Sequence, residues 1–225
     1  MSRGISTGTL SGADTRFLVV MDVDSTLIEN EVIELLADAA GSLAAVADIT
    51  ERAMAGELDF EHSLRERVRT LAGLPVTVFA EAAESVRLTP GARRLIEVLH
   101  DTGSRVAVVS GGFHEILDPF AEELQLDFWR ANRLEVEDGR LTGGLVGPII
   151  DARAKQHALE EWARECGVPH DRVVAVGDGA NDLLMMDAAG LSVAFNAKPR
   201  VRSHADVIMD VCDLSQVLPL LGLRG

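Results

Sequence analysis

Four short, largely apolar runs do most to limit what this chain can fold into: Phe17–Met21, Arg105–Val109, Arg172–Val176 and Leu191–Phe195. Runs of this length and composition read as strands buried on both faces, and helical patterns lie between them. Together they predict an α/β fold, a Rossmann-like parallel sheet with helices on both faces. Three of the runs lead straight into polar or glycine-rich residues: Asp22-Val23-Asp24-Ser25-Thr26, Ser110-Gly111-Gly112 and Gly177-Asp178-Gly179. Open α/β sheets bind ligands at the carboxyl ends of their strands.

Two segments depart from this alternation. From about Val32 to Arg87 the pattern is helical, with Val32, Ile33, Leu36, Ala39 and Ala40 at helical spacing and Gly41 as a stop signal. Phe60, Leu64, Val68 and Leu71 form a second stripe. The expected organisation is a flexible tail over 1–15, an α/β core over 16–31 and 88–225, and a small inserted helical cap over 32–87. Between Phe128 and Ile149 two extended runs flank Asp138-Gly139, a hairpin turn signal. The run Val217–Leu223 reads as a docking helix or turn.

A strand that ends in two carboxylates is a poor device for stability, because a buried carboxylate needs a cation, a metal or hydrogen bonds. Asp22 and Asp24 are hard oxygen ligands suited to Mg²⁺, and a carboxylate can also serve as a nucleophile. Ser110-Gly111-Gly112 could offer a hydroxyl and backbone N–H groups to a phosphate. Lys155 lies within about 40° of Leu159 on the sheet-facing side of its helix, where an anion would explain it. Asp178, Asn181 and Asp182 bring further acids to the same edge. Taken singly, each group has a plainer reading: an Asx-rich turn, a glycine-rich turn, a snorkelling lysine, a helix cap with an acidic first turn. Their occurrence in order on one sheet favours a site.

The balance of 21 basic and 36 acidic residues, a net charge of −15, argues against a nucleic-acid or anionic-membrane surface. An anionic substrate therefore needs local cations. No run approaches the roughly 20 apolar residues of a membrane span. Residues 1–15 lack the apolar stretch of a signal peptide. Cys166 and Cys212 form no metal-ligand pattern and are expected as buried reduced thiols of a cytoplasmic protein.

The chain resembles the haloacid dehalogenase superfamily of aspartate-nucleophile phosphotransferases. That pattern is Asp-x-Asp after the first strand, a Ser or Thr after the second, then a Lys, then an acidic pair. Closer still, Asp22 to Glu31, Val109 to Phe113, Gly177 to Asp182 and the loop Ala197-Lys198-Pro199 resemble the phosphoserine phosphatases of that superfamily. The resemblance implies a Mg²⁺-dependent hydrolysis of O-phosphoserine to serine and phosphate, the last step of serine biosynthesis. Asp22 would be the nucleophile and Asp24 the general acid and base. Mg²⁺ would sit on the side chains of Asp22 and Asp178 and the backbone carbonyl of Asp24, with Asp182 supporting it from behind. Ser110, Gly111, Lys155 and Asn181 would hold the phosphoryl group, Glu31 the substrate ammonium and Arg67 its carboxylate. Helical geometry supports Arg67 independently. It falls at about −20° from Phe60, inside the apolar stripe, whereas Arg65 and Arg69 fall at about 140° and 180°. An internal salt bridge to a cap glutamate is the alternative. Phe60 and Met54 are either apolar walls of the pocket or plain cap core. A monomer or homodimer is expected, without the N-terminal regulatory domain that many relatives carry. Rival activities are phosphoryl transfer to homoserine, hydrolysis of another small phosphate ester, and silent binding of a phospho-ligand.

Overall fold

The computed structural model describes residues 15–54 and 56–224, except for the side chain of Met54. The expected tail and the Met54 wall thus lie outside the described residues, save for Thr15. Seven strands form one sheet: β1 (Leu18–Met21), β2 (Arg105–Phe113), β3 (Phe128–Glu137), β4 (Arg140–Val146), β5 (Val173–Gly177), β6 (Leu191–Phe195) and β7 (Val207–Met209). Their order is β4-β3-β2-β1-β5-β6-β7, and only the β3–β4 pair is antiparallel. In β1, Leu18 and Val20 face one hydrophobic layer while Val19 and Met21 face the other. Both faces are covered, which is why the run is apolar throughout rather than alternating.

The layer under Leu18 and Val20 is closed by α7 (Ala152–Cys166) and α8 (Leu183–Asp187) through Leu159, Trp162, Met185 and Met186. The opposite layer is closed by α5 (Ala92–Asp101), α6 (His114–Glu123) and α10 (Val217–Leu220), while the short α9 (Pro199–Arg202), between β6 and β7, adds Val201 to the first layer. Between β1 and α5 stand four further helices: α1 (Val32–Ala39), α2 (Leu43–Met54), α3 (Phe60–Arg69) and α4 (Val78–Ser85). The chain leaves and re-enters the sheet through paired linkers, where Glu29 N–H donates to Arg87 O at 2.8 Å and Thr89 N–H to Leu27 O at 3.0 Å. A second seam joins the loop after α3 to the β3–β4 hairpin. Gly73 N–H donates to Leu141 O at 2.8 Å, Leu141 N–H to Leu74 O at 2.9 Å and Val76 N–H to Gly139 O at 3.0 Å.

The α/β architecture and the hairpin at Asp138-Gly139 agree with the sequence. Both turn residues have positive φ, 49° and 73°, as a two-residue hairpin turn of this kind requires. Several details differ. β2 does not stop at Val109 but runs through Ser110-Gly111-Gly112 to Phe113. Short β7 adds an edge strand that three residues of pattern could not announce. In α1 the buried positions are Val32, Ile33, Leu36 and Ala37, while Ala39 is exposed. Cys166 is buried as expected, but Cys212 is exposed.

Candidate active site

Parallel pairing sets Met21, the last residue of β1, opposite Val108 on one side and Val176 on the other. Asp22 therefore leaves the sheet beside Ser110 and Asp178. Its backbone N–H extends the ladder to Val176 O at 3.0 Å. The following turn is distorted: Asp24 is extended, and Ser25 adopts φ 58°, an uncommon conformation for a residue with a Cβ. This wrap turns the Asp24 side chain back toward the strand ends and close to Gly112, where a Cβ would lie 3.1 Å from Asp24 Oδ2 and 3.0 Å from Ser110 Oγ.

Lys155, on the first turn of α7, is completely buried. Its ammonium lies 2.7 Å from Asp22 Oδ1 and 2.7 Å from Asp182 Oδ1. That rules out a snorkelling lysine. Asp182 Oδ2 accepts the Gly179 N–H at 3.0 Å, so both its oxygens are committed. Asp22 Oδ1 also accepts the Val23 N–H at 2.7 Å. Asp22, Asp178 and Asp182 each bring a carboxylate oxygen into a group no more than 4.8 Å across. Three buried carboxylates against one ammonium leave an excess of negative charge, which adds to burial in raising the carboxylate pKa values. Burial, then Asp182, holds Asp22 well above the usual carboxylate range. Burial, then Asp182, lifts Asp178 to about 6. Burial, then Glu31, lifts Asp24 to about 7. Burial pulls Lys155 down, but Asp182 and Asp22 more than reverse this and its pKa ends above the usual lysine value. Such a donor set, hard oxygens in charge excess, fits Mg²⁺. Asp22, Asp178 and Asp182 each present an oxygen to such an ion, and both oxygens of Asp182 also accept from Lys155 and Gly179.

Glu31, at the N-cap of α1, accepts the Ser25 hydroxyl at 2.7 Å. Asp24 Oδ1 accepts the Val32 N–H at 3.3 Å. Arg67, on α3, is largely buried; burial lowers its pKa, opposed by Glu31 and Asp24. Its Nε donates to Ser63 O at 3.2 Å, and among the described residues no carboxylate lies within salt-bridge distance. Glu66, on the same helix, pairs with Arg52 at 3.3 Å. Phe60 lies over the Ser110-Gly111-Gly112 segment, with its ring edge 3.2 Å from where a Gly111 Cβ would stand. Asn181 is half-buried and packs its amide oxygen against Gly179. All the site residues read from the sequence thus gather at one sheet edge or on the helices above it. Lys198, in the loop picked out by resemblance, reaches within 4.0 Å of Asp178.

Two neighbours of the site were not singled out by the sequence. Ser25 lies inside the first motif, and only its backbone conformation sets it apart. Asn132 is 2% exposed within β3 and bonds both Gly111 O, at 2.9 Å, and Ile150 N–H, at 2.8 Å. The run itself carried no signal, since Asn132 stands between Ala131 and Arg133 in a strand of mixed polarity.

Comparison with known proteins agrees with this geometry. The family model of haloacid dehalogenase-like hydrolases matches residues 19–187. Phosphoserine phosphatase SerB2 of Mycobacterium tuberculosis is 55% identical over 212 residues, covering 94% of this chain and 52% of its own. This chain thus spans about half the length of that relative. Phosphoserine phosphatase of Lactococcus lactis is 50% identical over 201 residues, covering 89% of this chain and 93% of its own. A solved phospho-aspartyl intermediate analogue of phosphoserine phosphatase aligns with TM-score 0.86 at 42% identity, over 93% of this chain and 100% of its own. The chain belongs to the haloacid dehalogenase-like hydrolases and, within them, to the phosphoserine phosphatase family.

Proposed function

We propose that this protein hydrolyses O-phospho-L-serine to L-serine and phosphate through an aspartyl-phosphate on Asp22. The observation that carries the reading is the asymmetric setting of Asp22. Its Oδ1 is held by Lys155 and the Val23 amide, each at 2.7 Å, which leaves Oδ2 to attack phosphorus. The new Oδ2–P bond forms as the bond to the serine oxygen breaks. Asp24 donates a proton to that departing oxygen, then takes one from the water that hydrolyses the acyl phosphate. A carboxyl lifted to about 7 suits both duties near neutrality.

Two protons of Lys155 are committed to carboxylates, and the third is available to a phosphoryl oxygen. Ser110, the Gly111 amide and Asn181 complete the cradle. Mg²⁺, held by Asp22, Asp178 and the Asp24 carbonyl, would offset the repulsion between carboxylate and phosphate and polarise the phosphoryl oxygen. Asp182 holds Lys155 in place. The helical segment 32–87 acts as the selecting cap. Arg67 has guanidinium protons free for a substrate carboxylate, and Glu31 is placed for its ammonium.

The test is phosphate release from L-phosphoserine, phosphothreonine, a sugar phosphate and an aryl phosphate, with Mg²⁺ and with an EDTA control. Expected is metal-dependent release with strong preference for L-phosphoserine. Asp22→Asn is expected to lose turnover by about four orders of magnitude or more while keeping the fold. Wild-type-like activity in that variant excludes Asp22 as nucleophile, and preference for another ester excludes the substrate.

A further inference from the structure

Pairing between β2 and β3 slips at the site. Val109 stands opposite Arg130 and Phe113 opposite Asn132, so Ser110, Gly111 and Gly112 together face the single Ala131. Such a bulge leaves backbone groups without ladder partners, and a buried backbone group must find another. Asn132, the next residue along β3, supplies one. Its Nδ2–H donates to Gly111 O at 2.9 Å. The same peptide unit carries the Gly112 N–H, which donates to Ser110 Oγ at 2.7 Å. Fixing the carbonyl end of a planar peptide fixes its N–H end. With one lone pair of Ser110 Oγ filled by that N–H, the hydroxyl proton is directed away from Gly112.

The other end of the amide reaches a different element. Asn132 Oδ1 accepts the Ile150 N–H at 2.8 Å. Ile150 precedes Asp151, which caps α7 through the Ala154 N–H at 2.8 Å and accepts the Lys155 N–H on its backbone oxygen at 2.9 Å. A donor on one side and an acceptor on the other also settle which way round the amide lies.

We propose that Asn132 is a positioning residue that sets the Ser110 hydroxyl and the first turn of α7 in register with each other, so that both meet one phosphoryl group. The proposal rests on the phosphatase reading above. It predicts a defect in holding the phosphoryl group itself, whatever alcohol the group is attached to. Asn132→Asp keeps the acceptor for Ile150 but sets an oxygen against Gly111 O.

The experiment measures kcat/KM for L-phosphoserine and for an aryl phosphate, and the Ki of inorganic phosphate, for wild type, Asn132→Asp, Ser110→Ala and the double variant. Thermal unfolding is followed alongside. Asn132→Asp is expected to raise the Ki of phosphate about tenfold or more and to lower kcat/KM for both esters by similar factors. In the Ser110→Ala background its effect should shrink by at least about threefold, because the two residues act through one hydroxyl. A Ki within about twofold of wild type, a loss confined to phosphoserine, or full multiplication of the two effects overturns the proposal. Where Asn132→Asp does not fold, Asn132→Ser gives the same readings. Absence of turnover in the wild type instead condemns the phosphatase reading, and phosphate binding then still reports on Asn132.

Discussion

Arg67 illustrates how much one side chain can be asked to do in this molecule. Its guanidinium is partly withdrawn from water without a carboxylate at salt-bridge distance among the described residues, an arrangement that costs stability unless a ligand completes it. Arg67→Ala is therefore expected to raise KM for L-phosphoserine by about tenfold or more and to leave an aryl phosphate almost untouched. Equal effects on the two substrates exclude carboxylate recognition. Ser25 is the subtler case. Its positive φ is kept by a residue whose hydroxyl, at 2.7 Å, anchors Glu31. Ser25→Ala frees Glu31 and should raise KM for L-phosphoserine about three- to tenfold, with kcat for the aryl ester unchanged. Steady-state kinetics on both substrates decide it.

Among the elements, the β3–β4 hairpin departs furthest from a plain sheet. Gly143, at φ 85°, brings its backbone against α3, where an added Cβ would lie 3.1 Å from Ala72 Cβ and 3.2 Å from Arg69 Cα. Gly143→Ala should destabilise the protein by about 1–3 kcal/mol and should also impair turnover, since it pushes on the helix that carries Arg67. Denaturant melts and kinetics on the same preparation check both halves. This seam marks where sequence reading ran out. The strands, their loaded ends, the hairpin turn and the lysine on the wrong face of α7 were legible, because each follows from local periodicity or local turn chemistry. The backbone bonds from Gly73 and Leu74 to Leu141 were not, because they join segments far apart in the chain through atoms every residue shares. The roles of Ser25 and Asn132 were hidden because they rest on local backbone departures, a positive φ and a bulge, that no pattern of residue types announces. An Asn becomes informative only once a bulge is seen to face it.

Across the whole molecule, charge is the dominant fact. A chain of net charge −15 gathers several of its acids around one buried lysine, and burial with mutual repulsion raises the pKa values of Asp22, Asp24 and Asp178. The sign is fixed by that direction. Acids whose folded pKa is raised contribute stability that is complete below about pH 4 and is lost as pH climbs through the folded values. For Asp178 and Asp24 those values are about 6 and about 7. The metal-free protein should therefore lose thermal stability from mildly acid to neutral pH. Added Mg²⁺ should raise Tm by more at about pH 8 than at about pH 5. A Mg²⁺ shift independent of pH excludes these acids as its ligands. The two seams described above, the linker pair at Leu27–Glu29 with Arg87–Thr89 and the joint from Gly73–Val76 to the hairpin, also have a mechanical meaning. They tie the helical segment to the core at both its ends and again between α3 and α4, and α4 also packs on α6, so that a load on any one of these joints is shared by the others.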